Sequence, residues 1–141
     1  MRTIKFKGKS IEDGQWNYGD LSHVADQTLI KNNPCRDGRP KFTFEVDPQT
    51  VCQFTGFHDK NGKEIYEGDV IHIGPDYCVV IWAEDLGGFY PKADYAKLPC
   101  TSPLGAMLRR CDIEVIGNIY EQKWTMLFKV SQRKEEEGSN D

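Results

Sequence analysis

The sequence predicts a mostly β protein, with an N-terminal β subdomain over residues 1–50 packed on a C-terminal SH3-like barrel over 51–130 and an acidic tail over 131–141. Three observations predict it. Apolar and polar residues alternate with period two, as where Phe42, Phe44 and Val46 interleave with Lys41, Thr43 and Glu45. Turn signals such as Asp13-Gly14, Asn61-Gly62 and Gly87-Gly88 punctuate the alternating runs. The stretch from Val51 to Ile73 reads as an apolar strand, an Asn61-Gly62 hairpin turn and a second apolar strand launched by Gly68-Asp69. Asn and Gly suit such a turn because both tolerate the positive φ values of type I′.

Taken in order, Ile4 and Phe6 mark the buried face of a first strand, and Asp13-Gly14 turns the chain into a second over Gln15 to Tyr18, which carries Trp16. Residues 22–31 suit a strand or a short helical turn equally, and 32–40 read as loop. Phe42 to Val46 give a half-buried strand ending at Asp47-Pro48. Tyr77 to Trp82 is nearly continuous apolar sequence and is expected to be the most buried strand. Three prolines between 91 and 108 predict a long loop with one helical turn near Ala106 to Arg109. Ile113, Val115 and Ile116 build a strand entering Gly117-Asn118, Trp124 to Val130 a last one, and Ser131 to Asp141 is expected to be disordered, having almost nothing apolar to bury. The Asp13-Gly14 to Gly19-Asp20 segment echoes Asn61-Gly62 to Gly68-Asp69, which reads as one turn solution used twice.

Bulk properties narrow the function classes. A chain of 141 residues with 38% hydrophobic content can bury a core, and its mean hydropathy of -0.61 implies a well-solvated surface. The net charge of -4 disfavours a generally basic nucleic-acid surface, although Lys5, Lys7 and Lys9 alternate along the first strand and share one face, read here as solvated. No continuous apolar h-region opens the chain, and no apolar run approaches the roughly 20 residues that span a bilayer. The expectation is a cytoplasmic protein with no membrane partner. Five cysteines, Cys35, Cys52, Cys78, Cys100 and Cys111, lack the short spacings of a zinc or redox site and are read as reduced.

Candidate chemistry is sparse. His58-Asp59, with Cys52 or Cys78 as nucleophile, would need hydrogen-bond contact that the spacing does not dictate. A turn His beside a capping Asp is the simpler reading. His23, His58 and His72 are far apart, and Glu64, Glu67, Asp69, Glu84 and Asp85 form no recognisable metal or glycosidase pairing. No phosphate-binding glycine motif opens a helix. We therefore assign no catalytic residue, metal or cofactor. The better hint is aromatic: Trp82, Phe89, Tyr90 and Tyr95 cluster around a turn and form a candidate contact patch. Packing of Trp82 on Phe89 across a hairpin is the competing structural reading.

With these motifs in view, the chain resembles the YopX family of phage and prophage proteins. The resemblance rests on Ile4-Lys5-Phe6-Lys7-Gly8-Lys9 with Trp16, Tyr18, Gly19, Asp20 and Leu21, on Thr55-Gly56 and Asp59 through Val70, and on Glu114 through Glu121. It implies a small β-rich protein carried by mobile elements and brings no catalytic residues with it. The functional expectation is a non-enzymatic phage- or prophage-derived interaction protein that binds a host or phage macromolecule, expected to be a protein, with a homo-oligomer as one use of the patch. A nucleic-acid-associated module using the lysine face and a small metal-dependent hydrolase built from dispersed Asp, Glu and His are the alternatives.

Overall fold

The computed structural model describes residues 1–32, 42–121 and Trp124. The chain is mostly β and divides into two units, Met1–Gly56 and Phe57–Asp141.

In the first unit, Asp13 and Gly14 close a hairpin between β1 (Phe6–Lys9) and β2 (Trp16–Val24). The Asp13 carboxylate accepts the Gln15 N–H at 2.9 Å, and Gly14 takes φ 70°, a left-handed conformation that favours glycine. The ambiguous stretch 22–31 resolves as strand. β2 runs on to Val24, turns at Ala25-Asp26 and returns as β3 (Gln27–Asn32), which pairs with β4 (Phe42–Glu45). A 3-10 turn at Pro48–Thr50, capped by the Asp47 carboxylate on Gln49 N, delivers the chain to β5 (Cys52–His58), which lies beside β1. The strands follow the order β4-β3-β2-β1-β5, all antiparallel neighbours.

The expected buried face of β1 is corrected. Ile4 is 53% exposed and Phe6 only half-buried, whereas Lys7 and Gly8 are buried. Gly8 is needed because Val46 packs where a larger side chain would stand, 3.0 Å from the position of a Cβ. Ser10 bridges Val46, and Asp47 N donates to Lys9 O, tying the end of β4 to the end of β1. On β4 itself, Phe42 is exposed and the buried residue is Val46, just past the strand.

In the second unit, β5 runs into a five-residue turn and β6 (Glu64–Tyr66), followed by β7 (Asp69–Ile73), β8 (Asp76–Ala83), β9 (Gly88–Ala93), α1 (Leu104–Arg110) and β10 (Ile113–Asn118). Asn61 does not share the left-handed conformation; Gly62 alone has it, at φ 82°. The turn is therefore longer than the two-residue type I′ expected. The four-stranded antiparallel sheet has the order β10-β7-β8-β9. Its core face carries Ile71, Ile73, Cys78, Val80, Ala93, Ile113 and Val115, covered by Ile65, Leu104, Met107 and Leu108. β7, with four of its five residues buried, is the most buried strand, while on β8 Tyr77 on the uncovered face and Trp82, on the core side but at the far end of the strand, are each more than 40% exposed. An apolar run on a strand with one face uncovered cannot be buried throughout. Neither sheet closes into a barrel among the described residues.

The Ile113 strand forms as expected, with a register shift between Val115 and Gly117, and the helical turn near Ala106 lengthens to Leu104–Arg110. Of the expected last strand only Trp124 is described; it is helical, not extended, and is buried against Val70. Cys35, most of the 32–40 loop, residues 125–130 and the acidic tail lie outside the described residues. At its first turn the echo extends only to the left-handed glycines, Gly14 at φ 70° and Gly62 at φ 82°: the carboxylate that caps the turn is Asp13, directly before its glycine, in one and Asp59, well ahead of Asn61-Gly62, in the other. It fails at the second: Gly19 lies inside β2 with Asp20 exposed, while Gly68 sits in a turn and Asp69 is buried.

Candidate functional site

The residues that invite acid–base chemistry prove to be held by the scaffold. Asp59, 7% exposed, accepts Asn61 N and Lys63 N through Oδ1, each at 2.9 Å, and Val115 N of β10 through Oδ2, also at 2.9 Å. Burial pushes its carboxyl up, but these three N–H donors and the Lys63 charge outweigh it and hold the pKa below the ordinary value. Asp69, 2% exposed, accepts Tyr66 N at 2.8 Å and the Asn118 side-chain amide at 3.0 Å, and Asn118 Oδ1 in turn accepts Tyr120 N. Each carboxylate thus answers backbone donors that the sheet leaves without a strand partner.

His58 and Cys52 do not meet. His58 is exposed at one end of β5 and Cys52 buried at the other, about 20 Å apart at ordinary strand rise, with the Cys52 thiol donating to Thr50 O. Cys52, Cys78, Cys100 and Cys111 are in no disulfide. Burial, with help from Cys100 and Asp76, pushes the Cys78 thiol up to about 12, which makes it a poor nucleophile. Burial likewise raises the Glu67 carboxyl. Among the described residues no three His, Cys, Asp or Glu side chains come together as a metal site, and no helix is long and apolar enough to cross a membrane.

The aromatic set is divided by the β8–β9 hairpin. Trp82 and Phe89 are direct cross-strand partners, their rings edge-to-face with centroids 5.1 Å apart. Phe89 packs against the core cluster while Trp82 stays 46% exposed. Tyr90 pairs with Ile81 and so belongs to the opposite face. Tyr95 is 77% exposed in the turn after β9, where Asp76 at the start of β8 pushes its phenol pKa up, some 20 Å of strand from Trp82. Only Trp82 and Phe89 are brought together. Leu86, 53% exposed in the connecting turn, joins them at the hairpin tip, and turn position is the signal that would have flagged it.

Opposite Trp82, the outer face of the sheet holds a second aromatic group that sequence spacing did not suggest. His72 and Tyr77 stack at 5.0 Å, and Tyr77 meets Trp124 at 5.8 Å. The first unit has a third. The lysine face is not simply solvated: Lys7 is 7% exposed with Nζ 4.6 Å from the Trp16 ring centroid, Lys9 stands 5.4 Å from the same ring, and Lys5 lies 5.2 Å from that of Phe54. Tyr18, two residues beyond Trp16 and therefore on the same face, is 47% exposed.

Comparison with known proteins agrees with this architecture. The model of the YopX protein family matches residues 5–124. Among solved structures, the crystal structure of protein EF1440 from Enterococcus faecalis is similar in fold, with a TM-score of 0.51 and 18% sequence identity over 87% of this chain and 97% of that one. No curated protein matches the chain.

Proposed function

The chain belongs to the YopX family, and from that premise we propose a function of contact and not of catalysis: a phage- or prophage-derived protein that binds a protein partner in the bacterial cytoplasm. The observation that carries this reading is the β8–β9 tip. Trp82 is held edge-on by a core-anchored Phe89, with Leu86 beside it in the turn, so a large aromatic surface is presented at little cost in ordering. Exposed, pre-set aromatics of this kind dominate the energetics of protein interfaces. The scaffold role of Asp59 and Asp69 weighs in the same direction, since the carboxylates best placed for a hydrolase already accept structural hydrogen bonds. The Gly68-Asp69 entry to β7 keeps an SH3-like reading of the second unit, as an analogy of fold that supplies no partner.

The test is capture of partners from induced host cells on immobilised wild type and on Trp82→Ala, with circular dichroism confirming that the variant folds. A protein retained by wild type and lost by the variant is the expected result. A second copy of this chain would make the tip a homodimer contact. An unchanged set of captured proteins overturns the assignment to the tip.

A further inference from the structure

We propose that the protein partner of the β8–β9 tip is a basic segment, which lays an arginine on Trp82 and pairs it with Glu84 or Asp85 while an apolar residue covers Leu86. The inference rests on the reading of the tip as a protein contact and names the chemistry of the partner.

The tip is built as a fixed platform. Trp82 faces Phe89 across the two strands and Ala83 faces Gly88, so Glu84, Asp85, Leu86 and Gly87 form the whole turn. The Ala83 carbonyl accepts Leu86 N at 3.1 Å and Gly87 N at 2.8 Å, and Gly87 closes the turn at φ 66°. Phe89, packed against the core, meets the Trp82 ring edge-to-face and leaves the rest of it open, Trp82 being 46% exposed. Leu86, in the turn, is 53% exposed. A surface held in this way before binding loses little freedom when a partner covers it.

Charge decides the occupant. Glu84 and Asp85 are exposed, and among the described residues neither makes a hydrogen bond or an ion pair. The chain carries no Lys or Arg from Glu64 to Pro91, so neither strand brings a cation to this end of the hairpin. The second unit as a whole has ten basic and fifteen acidic residues, which favours the approach of a positive partner. A neutral or acidic partner would strip water from two carboxylates and give nothing in return. The same charges repel nucleic-acid phosphates and anionic lipid. A cation answers them. Arginine suits the place better than lysine, because its planar guanidinium stacks on an indole and pairs with a carboxylate at the same time. The first unit already uses the stacking half of this contact, with Lys7 Nζ 4.6 Å from the Trp16 ring centroid.

The experiment selects a library of short random peptides on the immobilised full chain and discards those that also bind Trp82→Ala. The selected peptides are expected to carry net positive charge and at least one arginine. Titrated into the full chain, they should shift the Trp82 indole N–H in NMR spectra and bind more weakly as salt is added. Glu84→Gln combined with Asp85→Asn should weaken that binding about tenfold and flatten its salt dependence. Replacing the peptide arginine by lysine should weaken it about threefold. Circular dichroism confirms that each variant folds. Selected peptides that are neutral or acidic, or that bind the neutralised variant as tightly as wild type, overturn the basic partner and leave the tip as the contact. If no peptide distinguishes wild type from Trp82→Ala, the tip is not the contact and the inference fails with it.

Discussion

Asp59 shows how single residues hold this fold. Its carboxylate serves three backbone donors, one of them 56 positions away on β10. Replacing it by Ala leaves a buried Val115 N–H without an acceptor, and the expected loss is at least about 2 kcal/mol in urea unfolding. The pH dependence follows from the depressed pKa. The stabilisation is complete above the unfolded value near about 3.9 and is lost as pH falls through the lower folded value. Wild type should therefore lose more stability than Asp59→Asn between about pH 6 and about pH 3; parallel curves would show that the carboxylate charge is not what matters. Gly117 is a second such residue. A Cβ there would lie 2.6 Å from Trp124 Cδ1, so Gly117→Ala should cost about 1–3 kcal/mol and alter the near-ultraviolet tryptophan signal. Gly68, at φ 85° and buried, should tolerate Val worse still.

At the scale of elements, the four-stranded sheet shows how edges are managed. Along the outer side of β10, Lys60 N donates to Ile113 O and Asp59 accepts Val115 N. Along β9, Pro91 has no donor to offer and its carbonyl accepts Cys100 N. Both edges are thereby closed to further strand pairing at these positions. Val80 and Trp82 share one face of β8, but Val80 is covered by the core while Trp82 stands past it at the hairpin end, and two measurements can read that difference. Val80→Ala should cost about 1–2 kcal/mol, as expected for a fully buried side chain, and Trp82→Ala no more than about 1.5 kcal/mol, the worth of its pairing with Phe89. Cys78, buried and pushed up to about 12, should resist alkylation in the native protein and react once urea unfolds it. Rapid native labelling of Cys78 would place that thiol outside the core.

Across the whole molecule, hairpins alternate with distant pairings. β1 pairs with β5 through Phe6 and Gln53, and β7 with β10 through Ile73 and Ile113. Closing loops of this length before the pairing is rewarded slows folding, so refolding should occupy roughly milliseconds to seconds in stopped-flow fluorescence. A microsecond phase carrying the full amplitude would mean that local hairpins suffice. The same long connections position the family signature. Asp59, Tyr66, Gly68, Asp69 and Asn118 all serve to join β10 and the turns to the sheet, which explains how a motif can identify a family and still point to no reaction.

The sequence by itself determined the β class, most hairpins, the Ile113 strand and the family, because these depend on period-two alternation, on turn chemistry and on residue order, all of them local. Only the tertiary structure decided which face of a strand is buried and which side chains meet. Lys7 lies against Trp16 while Ile4 is exposed, since burial depends on what packs above a residue and not on its own polarity. Four neighbouring aromatics separated for the same reason: adjacent strand residues point to opposite faces, and a six-residue strand parted Trp82 from Tyr95.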